Sequence, residues 1–354
     1  MLSIDQKIKC LLTLAKQIKE VLGASSETDL NAESKQRLYR LIPAISHKNP
    51  WFSEWSVLNS LLGIVEMLHE EDVLEWVSRY VLEINAKKEQ KKIGIVMAGN
   101  LPLVGFHDFV TVFMADEIAL VKLSSDDLEL FPAIMDLMIA TEPTVSNCYE
   151  IQEKNLSGMD KIIATGSDNT ARYFKHYFGK YPNVIRKSRT SIAILRTTDA
   201  TDGYLQLARD LFYYYGMGCR NVSKLFVPKE FDLVRLMDEL VTFTNEPQVQ
   251  MDNVKYINNL EYHKSIMLIN GVSFLDGGFF FLKEDRSLFS PVSIINFERY
   301  ESEEEVEQFI EQNRDAIQCV VGSGNKEIPF GQAQLPKLWD YADDVDVMQF
   351  LLGA

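Results

Sequence analysis

The residues best suited to covalent chemistry lie in Phe212-Tyr-Tyr-Tyr-Gly-Met-Gly-Cys-Arg-Asn-Val-Ser223. A Gly-x-Gly turn carries the chain from an amphipathic helix to Cys219 and on into the next helix or strand. Glycines let the backbone pass close to a ligand in conformations closed to other residues. A thiol just ahead of a helix start meets unpaired N–H groups, which favour the nucleophilic thiolate. The competing reading is a buried cysteine after a flexible turn. Cys10, Cys148 and Cys319 sit in apolar helix or strand contexts and read as core. A carboxamide able to face a developing oxyanion stands in Ala98-Gly-Asn-Leu-Pro102, at the carboxyl end of a strand. Ligands bind at that edge in open α/β sheets, although Asn100 could equally satisfy its own turn. Val121-Lys-Leu-Ser-Ser125 places Lys122, Ser124 and Ser125 at another strand end, suited to a ribose or phosphate or merely exposed. Ala164-Thr-Gly-Ser-Asp168 sets Thr165, Gly166 and Ser167 where a strand gives way to a helix, a short phosphate-cradle pattern. His107 and His176 have no evident carboxylate or Ser partner, so a Ser/His/Asp arrangement is unsupported.

The elements that must position these groups follow from the hydrophobic periodicity. Residues 1–90 read as helical, with Ile4, Ile8, Leu11, Leu12, Ala15 and Ile18 forming one stripe. From Lys91 the pattern changes to strands at 93–97, 117–122, 145–151, 160–164, 183–185 and 191–195. Helices over 103–115, up to 140 and from 167 separate them. Such alternation predicts right-handed βαβ units and a mostly parallel sheet. A second alternation begins near Asp199, with helices at 205–215, 231–244 and 302–313. Its strands are expected at 223–227, 264–268, 277–282, 292–297 and 317–321. The organisation expected is a helical region 1–90, a cofactor-binding Rossmann-like domain 91–197, a catalytic α/β domain 198–325 carrying the cysteine, and a tail 326–354 that docks back on the body.

Composition narrows the partners. The chain has 354 residues, 46% apolar and 25% charged, the balance of a globular protein rather than a disordered one. Lys and Arg number 36 against 51 Asp and Glu, a net charge of −15. That field repels nucleic acid and anionic membranes. It does not prevent a few local cations from holding an anionic cofactor. No apolar stretch suits a bilayer span and the N-terminus does not suit a secretory leader, so a cytoplasmic location is expected. The four cysteines form no CxxC and the five His are scattered, which argues against a metal site or a disulfide scaffold.

Taken in order, these segments resemble the aldehyde dehydrogenase superfamily, and within it the acyl-CoA reductases of the bacterial luminescence fatty acid reductase type. Ala98-Gly-Asn100 is similar to the family's Asn-bearing loop, and Ala119-Leu-Val-Lys-Leu-Ser124 to its Val-Leu-Lys-Pro-Ser element. Thr165-Gly-Ser167 resembles its Thr-Gly-Ser turn, and Gly216-Met-Gly-Cys219 its Gly-Gln-x-Cys loop. Leu288-Phe-Ser-Pro291 and Pro329-Phe-Gly331 resemble two further turns, so the likeness covers about residues 90–350. The closing Phe330-Gly-Gln-Ala-Gln and Trp339-Asp-Tyr-Ala-Asp resemble the acyl-CoA reductase branch in particular.

The resemblance implies an aldehyde-dehydrogenase-like α/β fold of two open, mostly parallel sheets, with Cys219 as nucleophile and Asn100 in the oxyanion hole. It implies Lys122, Ser124, Ser125, Thr165, Gly166 and Ser167 as cofactor-binding residues. The activity implied is NADPH-dependent reduction of an acyl-CoA to an aldehyde, with NADH possible and a homodimer as the expected assembly. Departures from the family are informative. Arg186-Lys-Ser-Arg189 stands where hydrolytic members carry a water-activating Glu. A reductase has no use for that base, because water would destroy the thioester. Ser125 replaces the acid that often binds the adenine ribose, which favours the 2′-phosphate of NADPH. Ser287 replaces the Glu that grips the nicotinamide ribose, which keeps open a non-catalytic protein on the same fold. A relative using another acyl donor or an aldehyde is the third reading.

Overall fold

Runs such as Ile93-Gly-Ile-Val96 and Ile162-Ile-Ala164 are apolar at consecutive positions, as strands covered on both faces require. A computed structural model describes residues 2–87 and 89–353. The chain divides into two units, Met1–Ser188 with Pro336–Ala354, and Arg189–Leu335.

The first unit is built on five parallel strands: β1 (Lys92–Val96), β2 (Ile118–Lys122), β3 (Tyr149–Ile151), β4 (Lys161–Thr165) and β5 (Asn183–Arg186). Their order is β3-β2-β1-β4-β5. One sheet face, with Ile93, Ile95, Ala119, Val121 and Ile163, joins a core shared with the N-terminal helices and with Phe106–Met114 and Leu130–Thr141. The other face, with Leu120, Ile162 and Ala164, packs against Phe174 and Phe178 of the helix Asp168–Phe178. The helix Ile4–Leu22 begins with a reciprocal capping box between Ser3 and Gln6 and buries Leu11, Leu14 and Ile18. The C-terminal helix Val347–Leu352 docks on this unit. Val347, Met348 and Leu351 are in its core, and Lys161 Nζ donates to the carbonyls of Phe350, Leu351 and Gly353 at 2.8, 3.1 and 2.6 Å.

The second unit carries β6 (Thr190–Ile194), β7 (Val222–Pro228), β8 (Leu275–Asp276), β9 (Phe281–Glu284), β10 (Ile294–Tyr300) and β11 (Ile317–Val321), in the order β11-β6-β7-β10-β9-β8. All neighbours are parallel except β8 and β9. Three sequence expectations change here. The strand expected at 191–195 pairs with β7 and β11, not with the first sheet. The division therefore falls at 188/189 rather than 197/198, and 336–354 belongs with the first unit. The segment 264–268 is not a strand but part of the helix Val254–Ile269, which Asn253 caps through the N–H groups of Lys255 and Tyr256. An N-cap and sixteen helical residues outweigh the short apolar stretch that begins at Ile266. Within 145–151, only Tyr149–Ile151 is extended, because Pro143–Asn147 forms a 3-10 turn. Among the described residues no helix is long and apolar enough to cross a membrane.

Candidate active site

In the first unit the strand order reverses direction between β1 and β4, and the carboxyl edge at such a switch point is where open α/β sheets take ligands. The sequence-predicted groups gather on that edge. Asn100 is exposed in the turn after β1, Lys122, Ser124 and Ser125 follow β2, and Thr165, Gly166 and Ser167 follow β4. The first two loops touch: a Cβ on Gly99 would collide with Ser124 Oγ. Ser124 Oγ accepts the Asp126 N–H at 3.2 Å, and Lys122 Nζ donates to the Glu153 carbonyl at 2.6 Å. Leu103, at φ 59°, donates its N–H to Asp127 Oδ2 at 3.0 Å, while Asp127 Oδ1 accepts from Leu130 N–H at 3.3 Å. Burial pushes the Asp127 carboxyl above its ordinary range despite these two donors. Ser167 caps the helix Asp168–Phe178, accepting from Thr170 N–H at 3.3 Å, and a Cβ on Gly166 would press on Thr170. Gly166 thus stands ahead of a helix N-terminus that Ser167 caps.

Arg186, at the end of β5, turns inward. Its two terminal nitrogens donate to Asp108 at 2.7 and 2.8 Å, and Nη1 reaches Thr165 Oγ1 at 3.4 Å. Both partners of this bidentate pair are buried. It ties the start of Phe106–Met114, and hence the Asn100 loop, to the end of β5.

In the second unit the cysteine loop is a strained backbone held by buried polar groups. The helix Thr201–Phe212 ends, and Tyr214, Tyr215 and Gly216 follow at φ 54°, 60° and 74°, with Gly218 at φ 109°. Each left-handed non-glycine residue costs roughly 1–3 kcal/mol. Buried packing offsets the cost: Tyr215 is 1% exposed with its ring 5.6 Å from that of Tyr256. Phe279 and Phe280 pack on Phe212, each with centroids 4.9 Å away. Cys219 is partly exposed and leads into β7. Of the two continuations open in the sequence, the strand is the one present, as expected near 223–227, so the thiol does not stand at the N-terminus of an adjoining helix. Its carbonyl accepts from Ser191 Oγ at 2.9 Å, and Ser191 Oγ lies 3.0 Å from Cys319 Sγ. Burial raises the Cys319 thiol, keeping it protonated and able to donate to Ser191. Cys319, expected as plain core, thus stands behind the Cys219 peptide. Cys10 is 1% exposed and burial pushes it up to about 12, as a core thiol should be.

Two residues that the sequence reading passed over anchor this loop. Asn221 Nδ2 donates to the carbonyls of Tyr213 at 2.7 Å and Asp210 at 3.3 Å. Asp210 is fully buried, and its carboxylate accepts the N–H groups of Gly331 at 2.6 Å and Ala333 at 3.0 Å. The signal was available: Asp210 sits between Leu207 and Leu211, a carboxylate on the apolar face of its helix. Ser287 donates its N–H to Asp285 Oδ1 at 2.8 Å and accepts from Asn296 Nδ2 at 3.0 Å through its carbonyl. That turn is held by its own groups.

No protein-family model matches the chain and no curated protein matches it in sequence. Solved structures do. Aldehyde dehydrogenase 21 from Physcomitrella patens, in complex with the reaction product succinate, superposes with a TM-score of 0.61 at 12% identity, covering 91% of this chain and 77% of that one. Glyceraldehyde-3-phosphate dehydrogenase from Methanocaldococcus jannaschii, complexed with NADP, gives 0.59 at 12% identity over 92% and 77%. A mutant of aldehyde dehydrogenase C from Pseudomonas syringae, with NAD+ and octanal, gives 0.55 at 12% identity over 91% and 76%. The strand orders, the edge loops and these superpositions together give one conclusion: the chain has the aldehyde dehydrogenase fold.

Proposed function

We propose that this protein is a nicotinamide-dependent acyl-CoA reductase that works through a thioester on Cys219. The observation that carries the reading is the cysteine loop. Left-handed residues at 214–216, Gly218 and the Ser191 clamp fix the peptide of a partly exposed thiol. Preorganisation of this kind is what a nucleophile needs and a packing cysteine does not. In the proposed reaction the Cys219 thiolate attacks the thioester carbonyl of an acyl-CoA. The resemblance gives the oxyanion to the Asn100 amide and the Cys219 N–H, one such donor typically contributing roughly 3–4 kcal/mol. Expulsion of CoA leaves an acyl-enzyme. Thioester exchange is nearly balanced, so no strong base is required.

NADPH is assigned to the carboxyl edge of the first sheet, held by Lys122, Ser124, Ser125, Thr165, Gly166 and Ser167. The glycine positions where a Cβ would meet Ser124 or Thr170, and the capped helix beyond Ser167, support this placement. When bound, the cofactor supplies the hydride that takes the thioester to the aldehyde level. Collapse of the Cys219 hemithioacetal then releases the aldehyde and restores the thiolate. Residues 186–189, where the resemblance would put a water-activating Glu, hold no carboxylate, which suits an acyl-enzyme that must outlast water. NADPH is preferred over NADH on the strength of Ser125, which presents no carboxylate to a 2′-phosphate.

The experiment is cofactor oxidation against acyl-CoAs of graded chain length, run in parallel with NADPH and NADH. Oxidation of NADPH that requires acyl-CoA and yields free CoA and aldehyde supports the reading. Turnover only of aldehydes in the oxidative direction would replace it with an aldehyde oxidiser. A thermal melt unmoved by either cofactor would favour a non-catalytic protein on this fold.

A further inference from the structure

Asp210 is buried where a carboxyl serves no purpose in ordinary packing, and it joins two segments that are distant in sequence. Its carboxylate oxygens take the N–H groups of Gly331 and Ala333, at 2.6 and 3.0 Å. Its main-chain carbonyl takes Asn221 Nδ2, whose second bond holds the Tyr213 carbonyl at the start of the left-handed segment. Gly331 has φ 81°, and a Cβ there would press on Gln206, one turn earlier on the same helix as Asp210. The turn at 329–333 is therefore seated on the last turn of Thr201–Phe212, the helix that leads into the Cys219 loop.

We propose that Asp210 is a positioning residue: its carboxyl and carbonyl together clamp the 329–333 turn to the Cys219 loop, so that the reactivity of Cys219 follows the protonation state of this one buried group. The inference rests on Cys219 being the reactive thiol, as the reading above assigns it. Burial raises the Asp210 carboxyl to about 7, against the two N–H donors and neighbouring Arg209, which lower it. The other titratable groups around it are Tyr213 at the end of its own helix, Cys319 on β11, and Glu246, whose carboxylate is 3.7 Å from Arg209. The sign follows from linkage. A carboxyl that binds its proton more tightly in the closed turn than in water favours the closed turn while protonated. Raising the pH from the ordinary carboxyl range up to about 7 therefore loosens the turn, and the loosening is complete above that.

The test combines hydrogen exchange at residues 331 and 333 with iodoacetamide alkylation of Cys219, followed peptide by peptide from about pH 6 to about pH 8. In the wild type, protection of the two amides falls as pH rises through the Asp210 titration. Asp210→Asn, a neutral group whose single oxygen accepts one of the two N–H bonds, shows no step, its protection staying flat with pH and above that of Asp210→Ala. Asp210→Ala removes the acceptor and lowers protection about tenfold or more at every pH. The ratio of wild-type to Asp210→Asn alkylation rates, which cancels the thiol's own titration, changes with the same midpoint. Equal protection in all three proteins, or a ratio that stays flat with pH, overturns the proposal. Asp210→Asn keeps the test available if Asp210→Ala does not fold. Alkylation and exchange need no acyl donor. A wild type that shows the step but never accepts an acyl group therefore overturns the reductase reading and leaves the clamp standing.

Discussion

At the edge of the first sheet the proposed ligand groups are offered outward: Asn100, Ser125 and Ser167 are exposed. Each loop is braced beneath them by a buried polar group, Asp127 under Leu103 or Arg186 against Asp108. The loop before β7 in the second unit is arranged the other way. Its side chains Tyr214 and Tyr215 are buried, its backbone is strained, and one partly exposed sulfur remains. The difference is the one that the proposed function asks of the two regions. A long cofactor is bound by many modest contacts, and loops with free side chains provide them. A nucleophile must be held within a few tenths of an ångström, and only a backbone fixed by packing and buried hydrogen bonds does that.

The contrast can be broken first at the brace of the first unit. Asp108→Asn leaves Arg186 buried without its full counter-charge, a loss of about 3–5 kcal/mol. A denaturant melt should show the first unit weakened, and a change below about 1 kcal/mol would show that the pair is not what holds that edge. Asn100→Ala removes an exposed amide that braces nothing. The melt should stay put while kcat with acyl-CoA falls about 10²- to 10³-fold. A mutant with unchanged kcat would move the oxyanion to other donors. Gly216→Ala forces a Cβ into a left-handed residue close to the Leu211 carbonyl, at a cost of about 1–2 kcal/mol. Slower alkylation of Cys219 with only this small shift in the melt would show that backbone geometry governs the thiol. An unchanged rate would show that it does not.

The groups at the first sheet's edge were legible because each lies in a short strand–turn motif whose chemistry is local. Ser167 announces a helix start by its own side chain, and Gly99 and Gly166 mark close approaches. The second unit was harder to read. Nothing in the composition of Tyr214-Tyr215 signals left-handed backbone, since the conformation is set by distant partners such as Tyr256. The sheet to which β6 belongs depends on pairing with β7 and β11, which periodicity does not encode. The helix over 264–268 was hidden because its apolar end looks like a buried strand once the upstream Asn253 cap is overlooked. Asp210 escaped notice because its partners, Gly331 and Ala333, are more than a hundred residues away and contribute only main-chain N–H groups.

The central claim is most directly tested by incubating the protein with a radiolabelled acyl-CoA in the absence of cofactor, denaturing it, and locating the label by peptide mass. The account predicts an acyl group on the sulfur of Cys219, labile to hydroxylamine and absent from Cys219→Ala. Label that persists in Cys219→Ala, or that resides on Cys148 or Cys319, would contradict it.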